Sequence, residues 1–318
     1  MKKTVNDCRI TVLGAGTMGL RIAQFFAMKG HAVRLYNRTE SRLCTAMEQI
    51  RSNLNMLRAL DQISDAEIEE TIARLDPGTE LETAVDGADL VIESVAEDVA
   101  VKQEMFRRLD ALCPADTIFA SDTSTMDIYA HIQISHPERL IIMHFFNPAY
   151  VMPLVEVVRG PETSDEVTAF VKELLTACGK TVATLNKVIP GFLLNRLTFS
   201  LLREACYIVE QGVCTPADVD AAIVANFGPR YAFEGIFGLM DAGGMAVEEM
   251  LSTRLNPVLC DSKACSPVIH ELVEEGNMGI STGKGFFEYE DSLEAFRIRD
   301  EKIIRMIQAI KQVNDQVK

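Results

Sequence analysis

The chain has 318 residues, which is long enough for two domains that each bury a hydrophobic core. Its apolar fraction of 48% is typical of a globular protein, and no apolar stretch reaches the length of a membrane-spanning helix. The formal net charge of −15 argues against a nucleic-acid or anionic-membrane surface, although a local basic pocket is compatible with an acidic chain.

A glycine-rich turn near the start of the chain predicts a dinucleotide site. A short apolar run, Arg9–Leu13, precedes the turn Gly14–Gly19, and good helix formers follow until Gly30. The order of strand, G-x-G-x-x-G and helix is the context in which this motif binds a pyrophosphate.

Each residue of this turn has an expected part in cofactor binding. Gly14 makes the tight turn, Gly16 lets the backbone approach the phosphates, and Gly19 lets the helix and strand pack closely. Thr17 and Met18 lie at the N-terminus of the following helix, whose backbone N–H groups face negative charge.

The end of the second predicted strand bears on the choice of cofactor. An acidic residue about twenty positions beyond the glycines usually accepts the ribose 2′-hydroxyl of NAD and repels a 2′-phosphate. This chain has Asn37 there, followed by Arg38, which could pair with a phosphate. These two residues weaken the case for NAD and admit NADP, so we keep NAD as the expected cofactor and leave NADP open.

Apolar strand-like runs then alternate with helix-like runs as far as about Lys187. The alternation predicts a doubly wound, largely parallel Rossmann-type sheet. Between the second strand and the next predicted one lies a long polar insertion, Ser41–Asp86, in which Ser64 and Glu67 form a capping box that predicts a helical hairpin. The strand candidates beyond the insertion are Asp89–Val95, Thr117–Ser121, Leu140–Phe146, Leu154–Val158 and Thr181–Leu185.

Two of these strands carry a histidine and a glutamate. His144 and Glu156 are twelve residues apart on strands joined by a loop that contains proline. A histidine held by a carboxylate is a general acid/base set near neutral pH. A carboxylate in an apolar strand is costly unless it has a partner, which favours the pairing over a core histidine.

Beyond Pro190 and Gly191 the strand pattern gives way to helices. Phe192–Gln211 is a long apolar helix, Thr215 and Ser266 each precede a proline as predicted N-caps, and Arg297–Val317 is amphipathic. We expect a dinucleotide-binding domain over 1–188 and an all-helical substrate and dimerisation domain over 189–318. The eight cysteines form no C-x-x-C pair, which favours reduced thiols in the cytoplasm and no metal site.

These motifs together resemble the 3-hydroxyacyl-CoA dehydrogenase family. The resemblance covers nearly the whole chain, with its motifs in the family's order. The matching segments are Gly14–Gly19, Val91–Glu97, Ala120–Ser124, His144–Pro148, Pro190–Arg196 and Thr282–Tyr289.

The resemblance implies a role for six side chains. His144 matches the catalytic base and Glu156 the carboxylate that orients it. Ser124 matches a hydroxyl that hydrogen-bonds the substrate oxygen, and Asn195 an amide, arriving from the helical domain, that helps to place the substrate. The positions that line the nicotinamide half of the cofactor site match Glu97 and Lys102. The family also implies a homodimer that acts in fatty acid metabolism.

The substrate has two interpretations. The segment Thr282–Tyr289 and the Ser41–Asp86 insertion resemble enzymes acting on CoA thioesters, which we place first. Pro153 stands where those enzymes usually have lysine, and Gly228–Phe233, with Arg230, resembles the branch acting on free 3-hydroxy acids such as L-gulonate or carnitine. An alternative of another class is a dinucleotide-binding or structural protein without turnover. No nucleic acid or membrane partner is expected.

Overall fold

The computed structural model describes residues 4–316 of the protein. The chain divides into two compact units, the first ending at Asn195 and the second beginning at Arg196. The first unit contains one eight-stranded sheet covered by helices on both faces, and the second is helical. The predicted fold class, a doubly wound sheet with a helical hairpin followed by an all-helical region, is confirmed.

The first unit alternates short strands with helices. Its strands are β1 (Ile10–Leu13), β2 (Val33–Tyr36), β3 (Leu75–Gly78), β4 (Leu90–Glu93), β5 (Ile118–Ser121), β6 (Leu140–Phe145), β7 (Leu154–Val158) and β8 (Thr181–Leu185). Its helices are α1 (Thr17–Met28), α2 (Glu40–Ala59), α3 (Asp65–Ala73), α4 (Leu81–Val85), α5 (Val99–Leu112) and α6 (Asp165–Ala177). The expected strands beyond the insertion are all present: β7 and β8 have the predicted bounds, and β4, β5 and β6 are shorter by one to three residues.

The sheet has the order β3-β2-β1-β4-β5-β6-β7-β8. Strands β1 to β6 run parallel, whereas β7 runs antiparallel to β6 and parallel to β8. Alternate side chains of the central strands enter separate cores on the two faces: Val12 and Ile92 lie in one, Leu13 and Val91 in the other. Burial on both faces explains why these strands are apolar throughout rather than alternating.

The insertion contains more than the predicted hairpin, since the short helix α4 also lies within it. It contains the expected hairpin, α2 and α3, and the Ser64–Glu67 capping box at the start of α3 is present. It also contains β3, which the sequence analysis did not predict and which pairs with β2 at the edge of the sheet. Pro77 lacks a backbone N–H, but an edge strand tolerates proline, so a segment that reads as a turn joins the sheet.

The parallel strands direct several loops to one edge. Because β1 has β2 on one side and β4 on the other, the chain leaves β1 at the point where the strand order reverses. Ligands of doubly wound sheets bind at this reversal, outside the carboxyl ends of the strands. The residues that follow β1, β2, β4 and β5 therefore form the candidate site.

The second unit is built from seven helices within the described residues, the first of which begins in the preceding unit. They are α7 (Leu194–Glu210), α8 (Pro216–Ala222), α9 (Gly228–Tyr231), α10 (Ile236–Gly243), α11 (Met245–Leu255), α12 (Pro267–Glu274) and α13 (Ser292–Gln316). Thr215 caps α8 as predicted, whereas Ser266 precedes α12 without a side-chain cap. Val317, predicted as the end of the last helix, lies outside the described residues. Across residues 4–316, no helix combines the length and apolar character that crossing a bilayer requires.

Candidate active site

The turn between β1 and α1 has the geometry of a phosphate cradle. Gly14 has a φ of +111°, and a Cβ there would lie 2.2 Å from the carbonyl oxygen of Ser94. A Cβ on Gly19 would lie 1.9 Å from the Gly14 carbonyl oxygen, so both positions require glycine for packing. A Cβ on Gly16 would instead enter open space, with no atom within 4 Å. The backbone at Gly16 is therefore open to a pyrophosphate, and the turn fits a dinucleotide.

A cavity of about 590 Å³ opens beside this turn. Of the predicted cofactor residues, all but Gly19 line it, and Gly19 lies instead under the helix–strand contact. The lining comprises Gly14, Ala15, Gly16, Thr17, Met18, Tyr36, Asn37, Arg38, Arg42, Ser94, Val95, Ala96, Glu97, Val101, Lys102, Met105, Asp122 and Ser124.

A buried lysine bridges two glutamates on one side of the cavity. The Nζ atom of Lys102 lies 2.7 Å from Glu93 and 3.2 Å from Glu97, and its side chain is only 1% exposed. Glu93 is also fully buried and accepts a 2.6 Å hydrogen bond from the hydroxyl of Ser121. Burial opposes ionisation of Glu97, but the Thr123 hydroxyl and the Lys102 ammonium outweigh it and hold the pKa of that carboxyl below its usual range. Both glutamates thus lie within 3.2 Å of one lysine ammonium.

Asp122 joins the end of β5 to the end of β6. Its Oδ1 atom accepts a 2.9 Å hydrogen bond from the backbone N–H of Phe145, and its Oδ2 atom accepts one of 3.2 Å from Ser94. Burial, with the nearby charge of Glu93, raises the pKa of Asp122 to about 8. Asp122 is therefore mostly protonated at neutral pH, and it fixes the backbone beside His144.

His144 and Glu156 are opposite residues of the antiparallel pair β6 and β7. The Nδ1 atom of His144 lies 2.8 Å from Oε2 of Glu156, and both side chains are buried. The other carboxylate oxygen, Oε1, accepts hydrogen bonds of 2.6 Å from the N–H of Leu194 and 3.2 Å from that of Leu193, at the start of α7. A carboxylate can only accept, so Nδ1 donates and Nε2 is left as the basic atom.

Aromatic rings limit the movement of the imidazole. The ring of Phe146 lies 4.5 Å from that of His144, and the ring of Phe192 lies 5.5 Å away in an edge-on arrangement. Phe192 is fully buried and directly precedes the two backbone N–H groups that hold Glu156. The same segment therefore packs against the base and holds its carboxylate.

The two remaining predicted residues, Ser124 and Asn195, also lie together. The side-chain amide of Asn195 donates a 3.2 Å hydrogen bond to the backbone carbonyl of Ser124. Asn195, expected to arrive from the helical domain, lies in the first turn of α7 and is the last residue of the first unit. The Ser124 side chain is exposed and lines the cavity, where its hydroxyl is available to a ligand.

The family profile for the NAD binding domain of 3-hydroxyacyl-CoA dehydrogenase matches residues 9–188, and the profile for the C-terminal domain matches residues 191–289. The chain belongs to the 3-hydroxyacyl-CoA dehydrogenase family. It is accordingly an oxidoreductase that acts on a CH–OH group, with NAD as its cofactor.

Relatives in this family act on more than one kind of substrate. The chain is 36% identical to a probable 3-hydroxybutyryl-CoA dehydrogenase of Bacillus subtilis, over 89% of this chain and 98% of the relative. It is 34% identical to 5-formyl-3-hydroxy-2-methylpyridine 4-carboxylate 5-dehydrogenase of Mesorhizobium japonicum, over 94% of this chain and 97% of the relative.

Solved structures of the family show the same two groups. The crystal structure of a 5-formyl-3-hydroxy-2-methylpyridine 4-carboxylic acid 5-dehydrogenase, an NAD⁺-dependent dismutase, matches with a TM-score of 0.87 and 31% identity, covering 96% of this chain and 99% of that one. The (S)-3-hydroxybutyryl-CoA dehydrogenase of Ralstonia eutropha matches with a TM-score of 0.73 and 30% identity, covering 89% and 99%.

The sequence did not single out Glu93 and Asp122, two polar residues that surround the predicted ones. It predicted Glu97 and Lys102 only through the family resemblance, because without it both are typical of solvated surface charges. Lys102 is in fact buried with Phe106 and Leu109 on the inner face of α5. Spacings of four and three residues place these three side chains on one helical face, and that signal was available in the sequence. Asp122 and Glu93 carried no comparable signal, because their partners come from other strands. No group of metal-ligating side chains occurs among residues 4–316.

Proposed function

We propose that the protein transfers hydride between NAD and C3 of a 3-hydroxyacyl-CoA, such as 3-hydroxybutyryl-CoA, with His144 as the general acid/base. The observation that carries this proposal is the buried pair of His144 and Glu156, with Nδ1 and Oε2 2.8 Å apart. A secondary alcohol releases hydride only as its proton moves to a base, and an imidazole with a carboxylate partner suits that task.

The protein residues move and hold the proton. A nicotinamide bound in the cavity would supply the hydride acceptor for C3 of the alcohol. Nε2 of His144 takes the proton of the 3-hydroxyl, and the positive charge that develops on the ring is stabilised by Glu156. Two backbone N–H groups at the start of α7 donate to the other carboxylate oxygen of Glu156 and hold it in place. In the reductive direction, His144 returns the proton to the ketone oxygen.

Other residues of the site orient the reactants. We propose that the Ser124 hydroxyl and the Asn195 amide bind the substrate oxygen. The Asn195 amide already donates a hydrogen bond to the Ser124 backbone carbonyl, which holds the two residues side by side. We assign Glu97 and Lys102 to the nicotinamide half of the cavity, where the buried lysine fixes the position of the glutamate. The residues Gly14, Gly16, Thr17, Met18, Asn37 and Arg38 would hold the rest of the dinucleotide, with Gly19 supporting the turn.

A free carboxylic acid is the second candidate substrate. The higher TM-score, 0.87 against 0.73, belongs to an enzyme whose substrate is a pyridine carboxylate rather than a CoA thioester. Pro153 in place of the lysine usual in the acyl-CoA enzymes favours the same alternative. The CoA thioester stays first because the alignment with the probable 3-hydroxybutyryl-CoA dehydrogenase spans 98% of that relative at 36% identity.

The test is oxidation of NADH with acetoacetyl-CoA, followed at the nicotinamide absorbance. We expect turnover, and we expect no turnover with free acetoacetate at the same concentration. Turnover with a free acid such as the pyridine carboxylate, and none with acetoacetyl-CoA, would replace the CoA assignment with the second candidate. Oxidation of L-gulonate or carnitine alone would have the same consequence. Cofactor binding without turnover on any of these substrates would contradict an enzymatic role.

We also propose that the protein is a homodimer. The second unit exposes many large apolar side chains, among them Phe199, Phe237 and Leu293, which are 64%, 83% and 83% exposed. Exposed apolar surface on this scale marks an interaction surface, and a second copy of the chain is the simplest partner. Light scattering coupled to gel filtration should give twice the chain mass of 35.2 kDa; a single-chain mass at micromolar concentration would contradict the proposal.

The cellular setting follows from the substrate and the cysteines. All eight cysteines are free thiols, as expected in the reducing cytoplasm, which we propose as the location. A 3-hydroxyacyl-CoA substrate would place the reaction in fatty acid metabolism.

A further inference from the structure

The part of the cavity beside the end of β2 carries positive charge and lacks a carboxylate. Asn37, Arg38 and Arg42 line the cavity there. The cavity has two acidic lining residues, Glu97 and Asp122, and both follow strands on the other side of β1. In NAD-specific sites a carboxylate at the end of this strand binds the ribose hydroxyls and repels a 2′-phosphate. Asn37 is neutral, so it does not repel a phosphate.

Arg38 and Arg42 differ from the two arginines further along helix α2. Arg51 and Arg58, further along α2, form ion pairs with Glu69 and Asp65 of α3. Within residues 4–316, by contrast, the guanidinium groups of Arg38 and Arg42 form neither an ion pair nor a hydrogen bond with the protein, and both line the cavity. In a chain of net charge −15 with many carboxylates, two unpaired guanidiniums in one cavity indicate a site for an external anion.

The local backbone places both arginines at the same part of the cavity. The side-chain oxygen of Asn37 accepts a 3.0 Å hydrogen bond from the N–H of Thr39, which fixes the turn between β2 and α2. Arg38 lies in this turn and Arg42 lies four residues later, in the first turn of α2, where the helix dipole also favours negative charge. The guanidinium fork matches the oxygen geometry of a phosphate.

We propose that Arg38 and Arg42 form a 2′-phosphate site, so that the protein binds NADP(H) as well as NAD(H). The inference rests on the dinucleotide site of the proposed function and is independent of the substrate. The 2′-phosphate carries close to two negative charges near neutral pH, and both guanidiniums are available to it without breaking a protein contact.

Direct binding of reduced cofactors to the purified protein tests the inference without turnover. Nicotinamide fluorescence should give Kd values for NADPH and NADH within about tenfold of each other, since charge-assisted hydrogen bonds to the phosphate replace those of a carboxylate. Arg38→Ala and Arg42→Ala should each weaken NADPH binding by about 10- to 100-fold, while NADH binding changes less than threefold.

Two further variants sharpen the test. Arg51→Ala, on the same helix but paired with Glu69, should change neither Kd and serves as the matched control. Asn37→Asp should weaken NADPH binding and leave NADH binding equal or tighter, because a carboxylate repels the phosphate and accepts the hydroxyls.

The outcomes separate the two proposals. Binding of NADPH at least 100-fold weaker than that of NADH would overturn the 2′-phosphate site and leave the proposed function intact. The same conclusion would follow if the ratio of the Kd for NADPH to the Kd for NADH were unchanged in both arginine variants. Failure to bind either cofactor would overturn both. A ratio of the Kd for NADPH to the Kd for NADH that rises in Arg38→Ala and Arg42→Ala, but not in Arg51→Ala, supports the inference.

Discussion

At the scale of single residues, the charges under the cofactor cavity are held by mutual pairing rather than by solvent. Lys102 contacts Glu93 and Glu97, and Glu93 receives a further hydrogen bond from Ser121. A buried ion is costly when it loses its partner, because neither water nor another group replaces the lost interaction. The cluster therefore contributes to the stability of the unit that carries the cavity.

Removing the buried lysine should be strongly destabilising. We expect Lys102→Met to lower the free energy of unfolding by about 3–5 kcal/mol, because Glu93 is left buried without a counter-charge. Urea unfolding of the cofactor-free protein measures this. Arg107→Ala, which removes an exposed ion pair on the same helix, should leave the free energy of unfolding nearly unchanged. If both variants changed the free energy of unfolding by a similarly small amount, the buried ion pair of Lys102 with Glu93 would be contradicted.

Asp122 should make stability depend on pH. Burial raises its pKa to about 8 from an ordinary value of 3.8, so the folded protein binds this proton more tightly than the unfolded chain does. Its contribution to stability is therefore lost as the pH rises from about 4 to about 8. Asp122→Asn stays neutral and should gain stability relative to wild type across that window.

Urea unfolding at several pH values measures the difference between the two proteins. Asp116→Asn alters an exposed carboxylate in the preceding loop and should show no such trend. A constant difference between Asp122→Asn and wild type from pH 4 to pH 8 would contradict the raised pKa.

At the scale of elements, the reversal of strand direction between β6 and β7 brings His144 and Glu156 together. The antiparallel register sets His144 directly opposite Glu156, so the pair needs no long loop to assemble it. The connecting loop is held by Lys180, whose Nζ atom donates 2.6 Å hydrogen bonds to the carbonyls of Ala149 and Met152. Lys180 also lies 4.1 Å above the ring of Phe25, in the core.

This lysine gives a second pH-dependent prediction, of opposite sign. Burial, assisted by the charge of Lys29, lowers the pKa of Lys180 to about 7 from 10.5. The unfolded chain then binds this proton more tightly than the folded protein, so the group's contribution to stability rises between about pH 7 and pH 10.5. The difference in unfolding free energy between wild type and Lys180→Met should grow over that range.

Chemical denaturation of both proteins between pH 6.5 and pH 10 checks the trend. Lys172→Met, in the exposed face of α6, is the control and should track wild type throughout. If the curves of Lys180→Met and wild type stayed parallel, the buried ammonium would not titrate in this range.

At the scale of the whole molecule, the sequence predicted the features that depend on local residue patterns. It did not predict the features that depend on contacts between residues far apart in the chain. Apolar runs and the glycine turn were sufficient for the doubly wound sheet and the cradle. The edge strand β3 was missed because Pro77 and Gly78 read as a turn, and only pairing with β2 makes them a strand. Asp122 was missed because its partners, Ser94 and Phe145, are 28 and 23 residues away in the chain.

The roles of the predicted site residues stay predictions that require kinetics. The structure describes where Ser124, His144, Glu156 and Asn195 lie, and the two contacts that join them in pairs. Which substrate atoms they meet depends on a ligand and on chemistry that neither pattern nor packing specifies. The central claim is therefore that Nε2 of His144 exchanges the substrate proton.

Turnover of His144→Ala tests this claim most directly, with acetoacetyl-CoA or whichever substrate the assay above identifies. We predict that kcat falls by about 10²–10⁴ while the Kd for NADH changes little, because general acid/base catalysis contributes that much and the imidazole does not line the cofactor cavity. His136→Ala, which removes a histidine from an exposed pair with Glu138, should retain wild-type turnover. A kcat of His144→Ala within twofold of wild type would contradict the account.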